Sequence, residues 1–238
     1  MFTRSAHLYD AVYTTMKDYA REAEQLHRLI QQRVPEARTL LDVACGTGLH
    51  IEKLSRHYEV AGLDLDRRML EVARRRLPHV SLHEGDMATF SLGTQFDVVT
   101  CLFSSVGYLL TLDLLRQAMS KMFRHVRPGG VLIVEPWITP DDWDADQLAA
   151  VFVDQPGLKI ARMSVSSKDQ ERALFVFHYL VGTRDGVEYF TEHHETRLHS
   201  HEEYVGSLEA AGLVVEYEPE GFMGRGLYIG LKPHHDDA

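Results

Sequence analysis

The chain has 238 residues, 45% hydrophobic and 25% charged, which suits one folded domain carrying an insertion better than two independent domains. A formal net charge of -10 argues against a nucleic-acid partner, because phosphate binding needs clustered cations, and the one basic run, Arg74-Arg75-Arg76, reads as a solvated helix face. Two cysteines without a C-x-x-C pair, no apolar run near the ~20 residues of a membrane span and no apolar leader predict a cytoplasmic protein with no membrane partner.

Leu8 and Val12, then Tyr19, Ala23, Leu26, Leu29 and Ile30, fall at helical spacing and predict two helices, the second stopped by Pro35. Tyr9, Tyr13 and Tyr19 lie on them, either as packing residues or as a lid over a ligand.

Leu40 to Val43 is a short apolar run that Ala44-Cys45-Gly46-Thr47-Gly48 breaks before an amphipathic stretch opens at Leu49, giving strand, glycine turn and helix. Such a turn lets the backbone approach a ligand, and the following helix presents unpaired N–H groups to it. The third glycine of a dinucleotide fingerprint and the Gly-Lys-Ser/Thr ending of a phosphate loop are both absent. A second buried strand, Val60 to Leu63, ends at Asp64, 22 positions after Asp42, where an acid can accept both ribose hydroxyls.

Met69, Leu70, Val72 and Leu77 predict the next helix, Val80 to Leu82 a third strand, and Gly85-Asp86-Met87 a turn after it. Phe96 to Cys101 reads as the fourth strand, a helix runs to a stop at Arg127-Pro128-Gly129-Gly130, and Val131 to Glu135 is the fifth strand. Apolar strands alternating with helices imply a parallel sheet covered on both faces. From Pro136 the rhythm changes to three β-rich segments, Ile160 to Val165, Leu174 to Leu180 and Val187 to Leu198, which predict an antiparallel substrate cap inserted over 136–198. A helix from His201 to Ala211 and strands at Val214 to Tyr217 and Gly226 to Leu231 close the domain, with a frayed polar tail from Pro233 to Ala238.

The motifs YD, KDY, LLDVACGTG, MLEVARRRLP, GDM, FSSVGYL, RPGG, VEPW and GRGLYIG resemble those of class I S-adenosylmethionine-dependent methyltransferases. Within that class they are similar to bacterial N-methyltransferases of nucleotide-linked amino sugars. The resemblance implies an α/β fold, a doubly wound, seven-stranded Rossmann-like sheet with an antiparallel final hairpin. It also implies S-adenosylmethionine as cofactor, S-adenosylhomocysteine as product, no metal, and in-line methyl transfer to a small-molecule amine.

Carried over residue by residue, the resemblance implies cofactor contacts at Tyr19, Asp42, Ala44, Cys45, Gly46, Gly48, Asp64, Leu65 and Met69, with Asp86 and Met87 at the adenine and Phe103 at the methionine end. It implies a substrate side made of Ser104, Tyr108, Glu135, Trp137 and Arg225, the last for an anionic group such as a phosphate. The resemblance also implies that Tyr9 lies beside the transferring methyl group and helps position the nitrogen. The segment Glu220 to Gly224 departs from the small Gly-Pro-Ser turn of the amino-sugar group, and Ile138-Thr139 replaces Trp and Phe, so a bulkier apolar wall is expected.

Fourteen histidines invite a metal hypothesis, but His193 and His194 on one strand point to opposite faces. His178, with His194 or Glu192, is read as lining the cap interior, either as a proton acceptor or as a satisfied polar residue. Open alternatives are O- or C-methyl transfer on the same scaffold, a nicotinamide-dependent oxidoreductase, and a non-catalytic regulator that binds S-adenosylmethionine. The assembly is left open to a homodimer.

Overall fold

The apolar runs become strands of one seven-stranded sheet in the computed structural model, which describes residues 2, 4–144 and 147–234. Helices α1 (Tyr9–Tyr13) and α2 (Tyr19–Arg33) precede β1 (Thr39–Val43), α3 (Leu49–Leu54), β2 (Glu59–Asp64), α4 (Arg67–Arg76) and β3 (Ser81–Glu84). Next come β4 (Phe96–Cys101), α5 (Leu112–His125) and β5 (Val126–Val134). A second sheet follows, made of β6 (Leu148–Gln155), β7 (Leu158–Asp169), β8 (Arg172–Thr183) and β9 (Gly186–Arg197). The chain returns through α6 (His201–Ala210) to β10 (Val214–Glu218) and β11 (Leu227–Leu231). The predicted frayed tail beyond His234 lies outside the described residues.

The main sheet has the order β3-β2-β1-β4-β5-β11-β10, with β3 to β5 mutually parallel and β11 antiparallel between β5 and β10. Its order reverses between β1 and β4, so the carboxyl ends of these two strands open a crevice for a ligand. Successive strand residues serve opposite cores. Leu40, Val98, Val131 and Ile133 pack against Leu26, Ile30 and Leu54, whereas Leu41, Val43, Val99 and Leu132 pack against Leu115, Met119, Tyr204 and Leu208. Each of these buried aliphatic side chains is worth about 1.5–3 kcal/mol over an exposed one, which is why both faces stay covered.

Helix starts are fixed by side chains that take up free N–H groups. Asp18 accepts from Arg21 N at 3.0 Å, Thr111 from Leu114 N at 3.2 Å, and Ser200 and Glu203 form a reciprocal capping box. No helix among the described residues is long and apolar enough to cross a membrane.

Two elements differ from the sequence reading. The Arg127 to Gly130 stop lies inside β5, because Phe96 pairs with Val126 and Val98 already with Val131, so the extra residues form a bulge. A Cβ at Gly130 would lie 2.5 Å from the Asp97 carbonyl oxygen, so only glycine allows that approach. The cap has four strands instead of three. The missed β6 turns into β7 through Pro156-Gly157, with Gly157 at φ +80°, and only Val153 of its residues is buried, so it has no clear inside–outside alternation to read.

Candidate active site

The crevice between β1 and β4 widens into a cavity of about 390 Å³, with a side chamber of about 30 Å³ beside Tyr19, Asp42 and Cys45. The glycine turn forms its floor. Gly46 has φ +55°, and a Cβ there would meet no atom within 4 Å, so its backbone faces open space that a ligand can fill. Asp64 braces the turn, its Oδ2 accepting from Gly46 N at 2.7 Å and its Oδ1 from Asp66 N at 2.8 Å. Burial raises its carboxyl above the ordinary value, an effect these N–H groups oppose. Asp42 is 2% exposed, accepts from Thr100 Oγ1 at 2.8 Å and is pushed up to about 6 by burial.

Gly48 is corrected as a ligand contact. It is the left-handed N-cap of α3, and a Cβ on it would strike Leu77 Cδ1 at 2.7 Å, so it serves close packing of α3 on α4. The Cys45 side chain packs with Ile51, Leu70 and Leu77, leaving its backbone to line the side chamber. Leu65, Met69, Asp86 and Met87 line the main cavity, and Asp86 Oδ1 accepts from Ala88 N at 2.7 Å.

At the end of β4, Phe103 and Ser104 both have left-handed backbone, φ 52° and 61°. Glu135 holds this bend, its Oε2 accepting from Phe103 N at 2.6 Å, while Ser104 Oγ donates to Pro136 O at 2.6 Å. Glu135 is therefore corrected as a substrate contact: it is 0% exposed and lies behind the wall, leaving Oε1 without a hydrogen-bond partner among the described residues. Ser104 Oγ also accepts from Arg225 Nη1 at 3.0 Å, so its hydroxyl orients Arg225. The Arg225 guanidinium lies 4.6 Å from the Trp137 ring centroid, and burial lowers its value while Glu135 opposes that. Trp137, Arg225 and Met223 line the cavity, whereas Phe222 packs in the core and Thr139 turns to Asp142, so within Glu220 to Gly224 it is Met223 that contributes to the apolar wall.

The N-terminal segment covers the cavity. Phe2, Tyr9 and Tyr13 cluster with ring centroids 4.4–5.6 Å apart, and Tyr13 packs edge-on to Phe103. Burial raises Tyr9 well above the ordinary phenol value, so it stays a neutral hydroxyl. Asp10 ties α1 down: Oδ1 accepts from Thr47 Oγ1 at 2.5 Å and Oδ2 from Arg76. Lys17 is buried against Glu22 at 2.9 Å and 3.8 Å above the Phe103 ring centroid. Ahead of α1, the Glu192 carboxylate of the cap accepts from Arg4 N at 2.7 Å, Ser5 N at 3.0 Å and Ser5 Oγ at 2.5 Å. Burial alone would raise Glu192, but these donors and the nearby His194 bring it down to about 2.

His178 is corrected as a proton acceptor for the reaction. On β8, Phe175 and Phe177 line the cavity, whereas His178 sits on the opposite face and binds Tyr189 Oη at 2.7 Å. The histidine that reaches the cavity is His194, 4% exposed, with Nδ1 2.8 Å from Tyr108 Oη. Arg162, 6% exposed, also lines it between the Tyr13 and Phe177 rings. Sequence reasoning gave no role to Asp10, Lys17 or Arg162, although Asp10 and Lys17 lie in the YD and KDY motifs; for Arg162 the available sign was a charged residue between Ala161 and Met163 in a β-rich run. Among the described residues no three His, Cys, Asp or Glu side chains converge as a metal site.

The resulting cleft is apolar-walled, lidded, floored by exposed backbone and ringed by oriented carboxylates and guanidinium groups. It can align two organic molecules and keep water from them. A methyltransferase domain family model matches residues 40–130. The chain is 44% identical over 229 residues to dTDP-3-amino-3,6-dideoxy-alpha-D-glucopyranose N,N-dimethyltransferase of Streptomyces fradiae, covering 95% of this chain and 90% of that one. It superposes on Streptomyces venezuelae DesVI with a TM-score of 0.93 at 42% identity, covering 96% and 98% of the two chains. It likewise superposes on S-adenosylmethionine-bound CalS10, an amino pentose methyltransferase from Micromonospora echinaspora, with a TM-score of 0.87 at 36% identity and 98% coverage of each.

Proposed function

Because the chain belongs to the class I S-adenosylmethionine-dependent methyltransferases, we propose that it transfers a methyl group to a small-molecule amine, the amino group of a nucleotide-linked deoxyamino sugar. The observation that carries this reading is Arg225, laid on Trp137 and oriented by Ser104 in the same cavity as the glycine turn. A guanidinium so placed suits a diphosphate, and the ring beneath it suits a flat base or sugar face. Arg162 adds a second buried cation to that cavity.

The bound cofactor supplies an electrophilic methyl group on a sulfonium. Asp64 accepts from the ribose hydroxyls, Asp86 from the adenine amine, and the backbone at Ala44 and Gly46 admits the methionine portion, with Tyr19, Asp42 and Phe103 around it. Tyr9 orients the acceptor nitrogen through its neutral hydroxyl, and the ring cluster of Phe2, Tyr9 and Tyr13 excludes water. The similarity to an N,N-dimethyltransferase supports two successive transfers to the same nitrogen.

Turnover with labelled S-adenosylmethionine over a dTDP-linked amino sugar, the same sugar without its nucleotide, a simple amine and a phenol tests the reading. Preference for the nucleotide-linked amine, with mono- and then dimethylated product in the mass spectrum, is expected. Equal use of the free sugar, or preference for the phenol, overturns it.

A further inference from the structure

The cavity holds a polar chain that the cofactor and the anion site do not use. Tyr108 Oη and His194 Nδ1 are 2.8 Å apart, and both residues line the cavity. On the far side of the ring, His194 Nε2 has no hydrogen-bond partner among the described residues, and Glu192 Oε2 lies 3.9 Å from it. Glu192 is 7% exposed and fixed by three donors from Arg4 and Ser5. Phe2 and Phe177 pack on the imidazole at 4.5 and 4.8 Å, which keeps water from it.

These contacts select a tautomer. A neutral ring with its hydrogen on Nε2 faces Glu192 with a donor and offers Nδ1 as acceptor to the Tyr108 hydroxyl. A protonated ring keeps Nε2 toward the Glu192 carboxylate, whose charge favours it across 3.9 Å, and donates from Nδ1 to Tyr108 Oη, so His194 can gain a proton without moving. Burial is the main force against protonating the ring, Arg162 on β7 adds to it and the Glu192 carboxylate opposes both; the balance lowers His194 below the ordinary imidazole value, so the ring is neutral near pH 7.

Resting on the amine reading above, we propose that Tyr108 and His194 form a proton relay that takes the surplus proton from the acceptor nitrogen after each methyl transfer. A nitrogen that has gained a methyl group carries a positive charge and an N–H to lose. That N–H proton passes to Tyr108 Oη as the Tyr108 hydroxyl proton passes to His194 Nδ1, and the electron pair of the N–H bond stays on nitrogen. The positive charge ends on the imidazolium, opposite the Glu192 carboxylate, and the nitrogen recovers the lone pair a second methylation needs. His194 then releases its proton to solvent when the lid opens. Tyr108 touches the acceptor as a catalytic residue; His194 acts through it as a positioning residue and proton store.

His194→Gln and Tyr108→Phe test the relay, the second being nearly isosteric and so protected against misfolding. Each is expected to lower kcat about 10²-fold, the low end for general base catalysis, with KM within about threefold. The double variant is expected to be no slower than either single, because the two act in series. The acid limb of the wild-type kcat profile should disappear in both. Independently of turnover, ring ¹⁵N shifts of His194 in the free protein should report hydrogen on Nε2 and an acceptor Nδ1, and Tyr108→Phe should abolish the acceptor signature. Single variants within twofold of wild type at every pH, additive losses in the double, or a hydrogen on Nδ1 overturn the relay. Wild-type protein that methylates no amine while His194 keeps the stated tautomer would reject the acceptor reading, and with it the relay's role; amine turnover with unchanged variants would reject the relay alone.

Discussion

Asp10 is the sharpest single test of the lid. Asp10→Asn keeps the size of the side chain but removes the charge that receives Thr47 Oγ1 on one oxygen and Arg76 on the other. The Asp10 and Arg76 side chains are 26% and 23% exposed, so solvent screens the pair in part. An exposed ion pair is worth about 0.2–1 kcal/mol, and a hydrogen bond to a charged group about 1.5–3 kcal/mol when fully effective. Asparagine retains one acceptor, so about 1–2 kcal/mol of closure is lost, which opens the lid roughly five- to thirtyfold more often. Because only the closed lid completes the cavity, affinity falls in step with the closed fraction. Calorimetry with S-adenosylhomocysteine should show that weakening, amide exchange over residues 9–13 should accelerate, and Thr47→Val should add little on top. A dissociation constant within twofold of wild type, with unchanged exchange, refutes the view that Asp10 holds α1 closed.

Asp64→Ala should weaken S-adenosylhomocysteine binding at least tenfold, by calorimetry, because it removes both the ribose acceptor and the brace on Gly46 N; unchanged affinity would dismiss the ribose assignment. Arg225→Gln should raise KM for a nucleotide-linked acceptor by about tenfold or more while leaving S-adenosylhomocysteine affinity within threefold, a split that steady-state kinetics and calorimetry together would reveal. The Glu192 carboxyl, held down to about 2 in the folded chain, contributes stability that is fully present above its unfolded value near 4.5 and lost as pH falls toward 2. Amide protection at Arg4 and Ser5 should decay over that window, and Glu192→Gln should flatten the dependence.

The strands, the glycine turn and Asp64 were legible because each leaves a local mark: an apolar run of strand length, two close glycines, an acid at a strand end. The cap was harder. On β8 both alternate sets, Phe175, Phe177, Tyr179 and Val176, His178, Leu180, are rich in apolar residues, so alternation alone does not say which set faces inward, and His178 was assigned to the wrong side. Glu135 was placed by its strand end, but whether a carboxylate there reaches the cavity or turns back to the preceding loop is a tertiary matter. The lid contacts were invisible for a related reason. Asp10 meets Thr47 and Arg76, and Glu192 meets Arg4 and Ser5, across long separations in the chain that no spacing rule covers.

The bend at Phe103 and Ser104 places this site in tension with the stability of the chain. Two adjacent side-chain-bearing residues in left-handed backbone cost about 1–2 kcal/mol each, and Glu135 and Pro136 hold them there. Selection for heat resistance alone would therefore be drawn to this pair, since glycine at either position relieves the strain at once. The same change would take away the ring under Lys17 or the hydroxyl that aims Arg225. A more thermostable descendant that keeps both residues would have had to find its gains in other parts of the sheet.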